Sequence, residues 1–177
     1  MSFVSLLSSA PSEKSPLAWY GIRTRSNSEK MAAQSLSSKG YEGYLPLYRT
    51  RKRWSDRVVE TELPLFPGYV FCRFEANERL PILTSPGVVS IVSCGKVPIP
   101  IPEGDLGAIQ AALESGFGVQ PCPFLKQGQR VRLNQGALEG VEGILVREKS
   151  EWRIVLSIEL LQRSVSVEVD REWVTAL

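Results

Sequence analysis

The spacing of apolar residues along the chain changes near residue 117, and the change predicts two domains. Upstream of it, an apolar strand at 17–22 leads into a helix, where Ser26 and Glu29 stand at the separation of a capping box. A last helix is expected between Pro102 and Gly116. The remaining elements are strands at 41–47, 69–74 and 87–92 and a short helix at 77–84. This β-α-β-β-α-β-α order is that of a ferredoxin-like split-βαβ fold with a hairpin insertion.

From residue 128 onward, apolar positions alternate with polar ones, which is the period of a half-buried strand. Several short strands in so little chain would leave exposed edges unless the sheet closed into a small barrel. We therefore expect an α+β protein. Its parts would be a disordered leader at 1–16, a split-βαβ domain at 17–116, a linker at 117–127 and an all-β barrel at 128–177.

The segment at 65–71 combines aromatic side chains with a proline and a glycine. Pro67 fixes φ and lacks a backbone donor, and Gly68 permits a path that other residues resist, so both are expected to shape the backbone. Apolar bulk beside positive charge predicts a surface that docks a protein near nucleic acid. The candidate docking residues are Phe66, Tyr69, Leu65 and Trp19. The alternative, in which these side chains belong to the core, stays open at this point.

The net charge is only +2, so positive charge matters here through its distribution. The basic residues of the inserted hairpin are Arg49, Arg51, Lys52, Arg53 and Arg57. Only Asp56 opposes them within that segment. Such a cluster would bind phosphates without reading sequence, and Trp54 could stack on an unpaired base. The alternative is a solvated hairpin whose charges prevent edge-to-edge association.

The chain contains no histidine, and its three cysteines are far apart, which argues against a zinc site, a cofactor or a catalytic centre. Cys72 would be a small buried apolar residue in mid-strand. No segment has the length of a membrane-spanning helix, and the start lacks the features of a signal peptide. We expect a cytoplasmic monomer that is not an enzyme.

Three motifs resemble the amino-terminal domain of the NusG family. They are Trp19-Tyr20, the run from Leu65 to Phe71, and Pro86-Gly87-Val88-Val89. The stretch from Gly128 to Leu133, followed by Gly136 and Gly143, resembles the KOW motif of the SH3-like barrel that follows in that family. Gly136 and Gly143 would be structural.

The resemblance implies a transcription elongation factor whose amino-terminal domain binds the clamp helices of the large subunit of RNA polymerase. The hairpin would lie near the non-template DNA strand. The barrel would bind Rho or a protein of the small ribosomal subunit, through loops whose matching positions are Leu138, Val141, Leu161 and Arg163. The family has aromatic residues where this chain has leucine and valine, which should weaken contact with Rho.

A proline-rich loop at 97–102 and Pro64-Leu65-Phe66 look more like the specialised paralogues of the RfaH and UpxY kind. We therefore hypothesise an antitermination factor of that type. The alternatives are a housekeeping NusG that binds Rho and a ribosomal or RNA-binding KOW protein. Refolding of the barrel into helices, as in RfaH, is not expected, because its apolar residues alternate as in strands.

Overall fold

The computed structural model describes residues 16–124, 128–148 and 150–177, apart from the side chains of Trp54 and Glu148. The expected leader at 1–16 lies outside the described residues except for Pro16. Among the described residues, each domain has one main antiparallel sheet, the first domain also has two sheets of two strands each, and the three α-helices belong to the first domain. The predicted α+β class, with a split-βαβ domain before an all-β domain, is confirmed.

The central sheet of the first domain has the strand order β2-β5-β1-β6, and β9 also pairs with β1. The strands of this domain are β1 (Leu17–Thr24), β2 (Glu42–Tyr44), β3 (Leu47–Trp54), β4 (Arg57–Pro64), β5 (Tyr69–Glu75), β6 (Val88–Ile91), β7 (Ser93–Cys94), β8 (Val97–Pro98) and β9 (Pro100–Ile101). The helices are α1 (Glu29–Ser38), α2 (Arg79–Leu83) and α3 (Glu103–Glu114), with a 3-10 turn at Ala76–Glu78.

Side chains alternate between the two faces of this sheet, and each face has its own core. One face packs on α1 and α2 through a buried cluster that includes Ile22, Val70, Leu36 and Ile82. The other face carries Phe71 and belongs to a second cluster that includes α3. The sheet is therefore covered on both sides, and the alternation expected for 69–74 is present.

Strands β3 and β4 form the expected hairpin, which makes a separate two-stranded sheet. Its register places Arg49 opposite Glu62 and Arg51 opposite Glu60. The hairpin leaves the domain after Leu47 and returns at Pro64, directly before the 65–71 segment.

The capping box expected at the start of α1 is absent. Helix α1 begins at Glu29 after Ser28, and no side chain caps its first turn. Instead, the buried Glu29 carboxylate accepts a hydrogen bond of 2.8 Å from the backbone N–H of Gly68. The hydrogen-bond partner of Glu29 is therefore Gly68, 39 positions away, and not the start of its own helix.

The second domain is one antiparallel sheet of six strands, here called the barrel domain, in the order β10-β14-β13-β12-β11-β15. Its strands are β10 (Val119–Cys122), β11 (Gln129–Leu133), β12 (Glu142–Glu148), β13 (Glu151–Ile158), β14 (Arg163–Val169) and β15 (Val174–Ala176). Single 3-10 turns lie at Gly136–Leu138, Glu159–Leu161 and Arg171–Trp173. Strands β11 to β14 lie where the alternation of apolar and polar residues predicted strands.

The linker expected at 117–127 is corrected by the structure. Val119–Cys122 forms strand β10 and pairs with β14, so this segment belongs to the barrel sheet. Pro121 is tolerated because β10 is an edge strand, where one backbone donor can be spared. Residues 125–127 lie outside the described part of the chain.

Candidate functional site

A tight turn at the start of β5 brings the 65–71 segment to one end of the central sheet. Gly68 has a φ of +84°, a conformation that side-chain-bearing residues rarely adopt, and the Tyr69 N–H donates to the Phe66 carbonyl at 3.1 Å. The Thr24 N–H donates to the Gly68 carbonyl at 2.8 Å, and Glu29 receives the Gly68 N–H. The turn is thus held from β1 and from α1 together.

Aromatic rings line the face of the sheet that follows this turn. Phe66 packs edge-on against Phe71 with ring centroids 5.6 Å apart, and Tyr44 lies 6.3 Å from Phe71. Trp19 packs edge-on against Tyr44 at 6.5 Å. These geometries are those that aromatic pairs favour, and they form one connected apolar surface.

The accessibility of the candidate docking residues differs from the expectation of a surface patch. Leu65 and Phe66 are each only 1% exposed, so neither reaches solvent in this conformation. Trp19 and Tyr69 are half-buried at the margin of the same cluster. The reason is that the cluster does not end at the first domain but continues into the barrel domain.

The barrel domain packs directly on this face. Helix α3 contacts β13 and the turn at Gly136–Leu138. Leu161 Cδ2 comes within 3.2 Å of the position that a Cβ atom on Gly21 would occupy, which places a barrel side chain against strand β1. Arg153–Leu156 of β13 are buried at four successive positions, so both faces of that strand are covered.

The contact between the domains is incompletely filled. A groove of about 840 Å³ lies between the Ile99–Pro102 loop and the barrel domain, and one of about 560 Å³ lies between α3 and the loop at Gly140. Burial and, secondarily, the Glu159 carboxylate raise the pKa of Asp105 on α3. The boundary therefore combines apolar contact with open grooves and two acidic groups that repel each other when ionised.

The hairpin carries less uncompensated charge than its sequence indicates. Arg49 Nε lies 3.3 Å from Glu62 Oε1, and Arg51 Nε lies 2.9 Å from Glu60 Oε1. These exposed cross-strand pairs leave the tip as the more positive part of the hairpin, with Lys52, Arg53 and Arg57 all exposed. The Trp54 side chain lies outside the described atoms.

Comparisons with known proteins decide the family. A family model described as transcription termination factor NusG matches residues 17–110. The chain belongs to the NusG family. Two similar relatives are the transcription termination/antitermination proteins NusG of Helicobacter pylori. One, from strain ATCC 700392 / 26695, is 24% identical over an alignment 169 residues long that covers 85% of this chain and 93% of the relative. The other, from strain J99 / ATCC 700824, is 26% identical over 166 residues, with the same coverage.

A structure of Thermotoga maritima NusG, concerned with domain interaction in that protein, superposes with a TM-score of 0.56 and 21% identity. The superposition covers 92% of this chain and 98% of the Thermotoga maritima chain. That likeness supports the fold of this NusG-family protein. The family consists of transcription factors.

The four barrel residues expected to bind a partner do not form one open surface in this NusG-family protein. Leu138 is 1% exposed and Leu161 is 7% exposed, and both belong to the cluster shared with the first domain. Val141 is half-buried beside the groove at α3, whereas Arg163 is exposed at the start of β14. Three of the four candidates therefore lie on the side facing the first domain.

Three charged side chains hold the site together through partners that were not predicted from the sequence. Glu29 fixes the turn at Gly68. Arg73 reaches Glu42 at 3.5 Å and Glu103 at 3.3 Å, which joins β5 to β2 and to the start of α3. The buried Arg153 reaches Glu151 at 3.4 Å. Each of these side chains has at least one partner that is distant in sequence or on a neighbouring strand, including Glu168 of β14, which lies 3.9 Å from Arg153, and a spacing rule does not reveal such partners.

The described residues contain no group of three histidine, cysteine or acidic side chains that could hold a metal ion. Burial raises the pKa of the Cys72 thiol to about 12, so this buried side chain stays protonated near neutral pH. Among the described residues, no helix is long and apolar enough to cross a membrane.

Proposed function

We propose that this NusG-family protein is a transcription elongation and antitermination factor that docks on RNA polymerase through the aromatic face of its first domain. The docking residues would be Trp19, Tyr69, Leu65 and Phe66, with the last two shaping the surface from beneath. The observation that carries the proposal is that this face is apolar, connected and covered by a second domain across an incompletely filled boundary.

An apolar surface of this kind would be a liability if it had no partner, because soluble proteins seldom expose large contiguous apolar patches. When the barrel domain moves away, the surface around Gly21 would be uncovered. Ile101 Cδ1 lies 3.5 Å from the position of a Cβ atom on Gly21, so an aliphatic side chain flanks this gap in the sheet face. A partner helix could place its apolar side there. The clamp helices of the polymerase large subunit are the proposed occupant.

The hairpin would then extend along the polymerase cleft toward the non-template DNA strand. Lys52, Arg53 and Arg57 at its tip would contribute electrostatic affinity without sequence readout. Arg49 and Arg51 are already paired with acidic partners and would contribute less. Raising the salt concentration should therefore weaken the DNA-dependent part of the affinity more than the polymerase-dependent part.

The barrel domain would recruit a second partner, and the small-subunit ribosomal protein and Rho are the two candidates. An RNA-binding role for the barrel is less well supported, because three of its arginines, Arg130, Arg132 and Arg153, pair with acidic side chains. Arg130 and Arg132 both pair with Glu142, and the side-chain hydrogen bond from Arg132 holds the pKa of that carboxyl below its usual range. Little uncompensated positive charge remains on that face for a phosphate backbone.

The proposal is tested by binding of the full chain to purified core RNA polymerase. Leu161→Asp places a charge against the face around Gly21 and should uncover it, so its affinity for polymerase should rise at least tenfold above that of the wild type. Adding Tyr69→Ala to that variant should remove most of the gain. The matched control is Val97→Asp, which lies at an exposed position in the first domain and should leave the affinity unchanged.

Absence of polymerase binding by Leu161→Asp, with circular dichroism showing a folded chain, would refute the docking proposal. The antitermination role is tested separately with a Rho-dependent terminator in a reconstituted transcription reaction. Increased read-through supports the specialised role that resembles the RfaH and UpxY paralogues. Increased termination by Rho would identify a housekeeping activity instead.

A further inference from the structure

The segment that joins the two domains is fastened to the barrel domain almost from its first residue. After α3 ends at Glu114, only residues 115–118 precede strand β10. Strand β10 then lies along the edge of β14 for its whole length, with Val119 opposite Val167 and Cys122 opposite Ser164. We call residues 117–122 the strap.

The near end of the strap is held by additional contacts. The Phe117 ring packs edge-on against Trp173 with centroids 5.4 Å apart. The Gly118 carbonyl accepts the Glu168 N–H at 3.1 Å and an Arg153 guanidinium N–H at 3.4 Å. The strap therefore moves with the barrel domain, although the chain enters it directly from α3.

The other side of the joint is equally fixed to α3. The Ser115 hydroxyl donates to the Ala112 carbonyl at 2.6 Å and accepts the Phe117 N–H at 3.2 Å. Gly116 follows the end of α3 with a φ of +78°, a left-handed conformation that suits glycine. With the strap in place, the two domains meet at a joint of about two residues, which spans at most roughly 7 Å when extended.

A joint this short restricts how the barrel domain can leave the aromatic face. A helix with its side chains is about 10–12 Å across, so a partner of two helices could not enter beside α3 while the barrel stays fastened at Gly116. If the strap separates from β14, the connection between α3 and β11 grows to residues 115–128. That length of chain could span roughly 45 Å.

We infer that the strap is a releasable fastener, and that the barrel domain separates from the first domain only when β10 leaves the edge of β14. Strand β10 suits this role because it is a short edge strand that contains Pro121, so it contributes fewer ladder bonds than a central strand. Domain separation and strand release are then one event. Release of β10 before the domains separate does not require polymerase, while its consequence for transcription rests on the proposed function.

The test ties the strap to its neighbour with one new cysteine. Ser164→Cys places a thiol opposite Cys122 in register, and Cys94→Ser removes an exposed thiol that would interfere. Both changes are made in the opened Leu161→Asp chain, and the protein is oxidised with oxidised glutathione. The matched control moves the crosslink one strand inward, with Cys122→Ser and Ser157→Cys paired to the same Ser164→Cys, because Ser157 also lies opposite Ser164.

Small-angle scattering of the full chain measures domain separation without polymerase. For a compact chain of this length the radius of gyration is about 16 Å. The reduced strap variant and the oxidised control should both be several ångströms larger than the closed wild type, while the oxidised strap variant should stay near the closed value. Equal expansion of the oxidised strap variant and the oxidised control would overturn the inference.

A second measurement needs no destabilising substitution. Methyl saturation-transfer NMR on the otherwise wild-type chain reports exchange at Leu161 in the domain boundary and at Val119 in the strap. One common opening rate, lost at both methyls on oxidation of the strap crosslink, supports the inference. Unrelated rates, or exchange at Leu161 that survives oxidation, would contradict it. Neither measurement involves polymerase. A failure to bind polymerase would therefore refute the docking proposal and leave the inference about the strap unaffected.

Discussion

Replacing Phe66 by alanine distinguishes a docking side chain from a core side chain. In this structure Phe66 is 1% exposed and packs edge-on against Phe71 at 5.6 Å. Truncation of a buried phenylalanine removes its transfer free energy and leaves a cavity, which together cost roughly 3–5 kcal/mol. We therefore expect Phe66→Ala to lower the free energy of unfolding by about that amount, with the lost ring contact included in it.

The effect is measured by urea unfolding of the full chain, followed by circular dichroism, and by thermal melting. For a chain of this size each kcal/mol shifts the melting temperature by about 2–4 °C, so a drop of roughly 6–20 °C is expected. Val58→Ala is the matched control, because Val58 is 62% exposed on the hairpin, and its effect should stay within about 0.5 kcal/mol.

If Phe66→Ala lowered the free energy of unfolding by less than about 1 kcal/mol, this reasoning would be refuted, since truncating a fully buried ring costs roughly 3–5 kcal/mol. If such a stable variant also failed to bind polymerase, Phe66 would be an accessible contact residue, as the sequence pattern first indicated. Because the expected variant is destabilised, its binding defects alone say little about docking, and Tyr69→Ala is the better probe of contact.

Three further changes test the architecture. Glu29→Ala leaves the Gly68 N–H without its acceptor and should cost about 1–3 kcal/mol in urea unfolding, whereas Glu29→Gln retains an acceptor oxygen and should recover most of it; equal losses would contradict the role of this bond. Gly143→Ala would bring a Cβ atom within 2.6 Å of the Val155 carbonyl and should destabilise the barrel by about 1–3 kcal/mol, while Gly107→Ala, with no atom within 4 Å, should stabilise by up to about 1 kcal/mol. Asp105 has a folded-state pKa raised by burial and by Glu159, so the stability it contributes is present below its unfolded-state pKa and is lost as pH rises through the folded-state value. Asp105→Asn should therefore raise the midpoint of urea unfolding at pH 7 and flatten its decline between acidic and neutral pH, and an unchanged profile would exclude Asp105 as a contributor.

The elements that sequence patterns predicted well are those whose stability is local or periodic. Strands β5 and β11 to β14 follow from the two-residue period of side chains along a strand, and α3 follows from apolar spacing between Pro102 and a glycine. The elements that the patterns missed depend on contacts between distant residues. Glu29 was assigned to a local cap because spacing reveals only near partners, while its real partner is Gly68.

Strand β10 was missed for a related reason. Val119-Gln120-Pro121-Cys122 has neither an apolar period nor a strong strand preference, and Pro121 argues against a central strand. What makes it a strand is the open edge of β14, which supplies backbone partners regardless of side chain. The four residues of β10 do not reveal this strand, because the backbone partners that stabilise it lie in β14, more than 40 positions later in the chain.

The apolar residues chosen as contacts illustrate what a sequence can and cannot say. Leu65 and Phe66 were selected as apolar bulk at a turn, and Leu138 and Leu161 were selected because they match loop positions of the family; all four are covered. The sequence does not say whether cover comes from another domain of the same chain or from another protein. If the barrel domain and a partner protein cover this surface in turn, the partner gains access only when it binds the open form more tightly than the two domains bind each other. The open grooves at the boundary and the repulsion between Asp105 and Glu159 both lower that threshold. The strap raises it, so the balance between these features would set how readily the protein engages its partners.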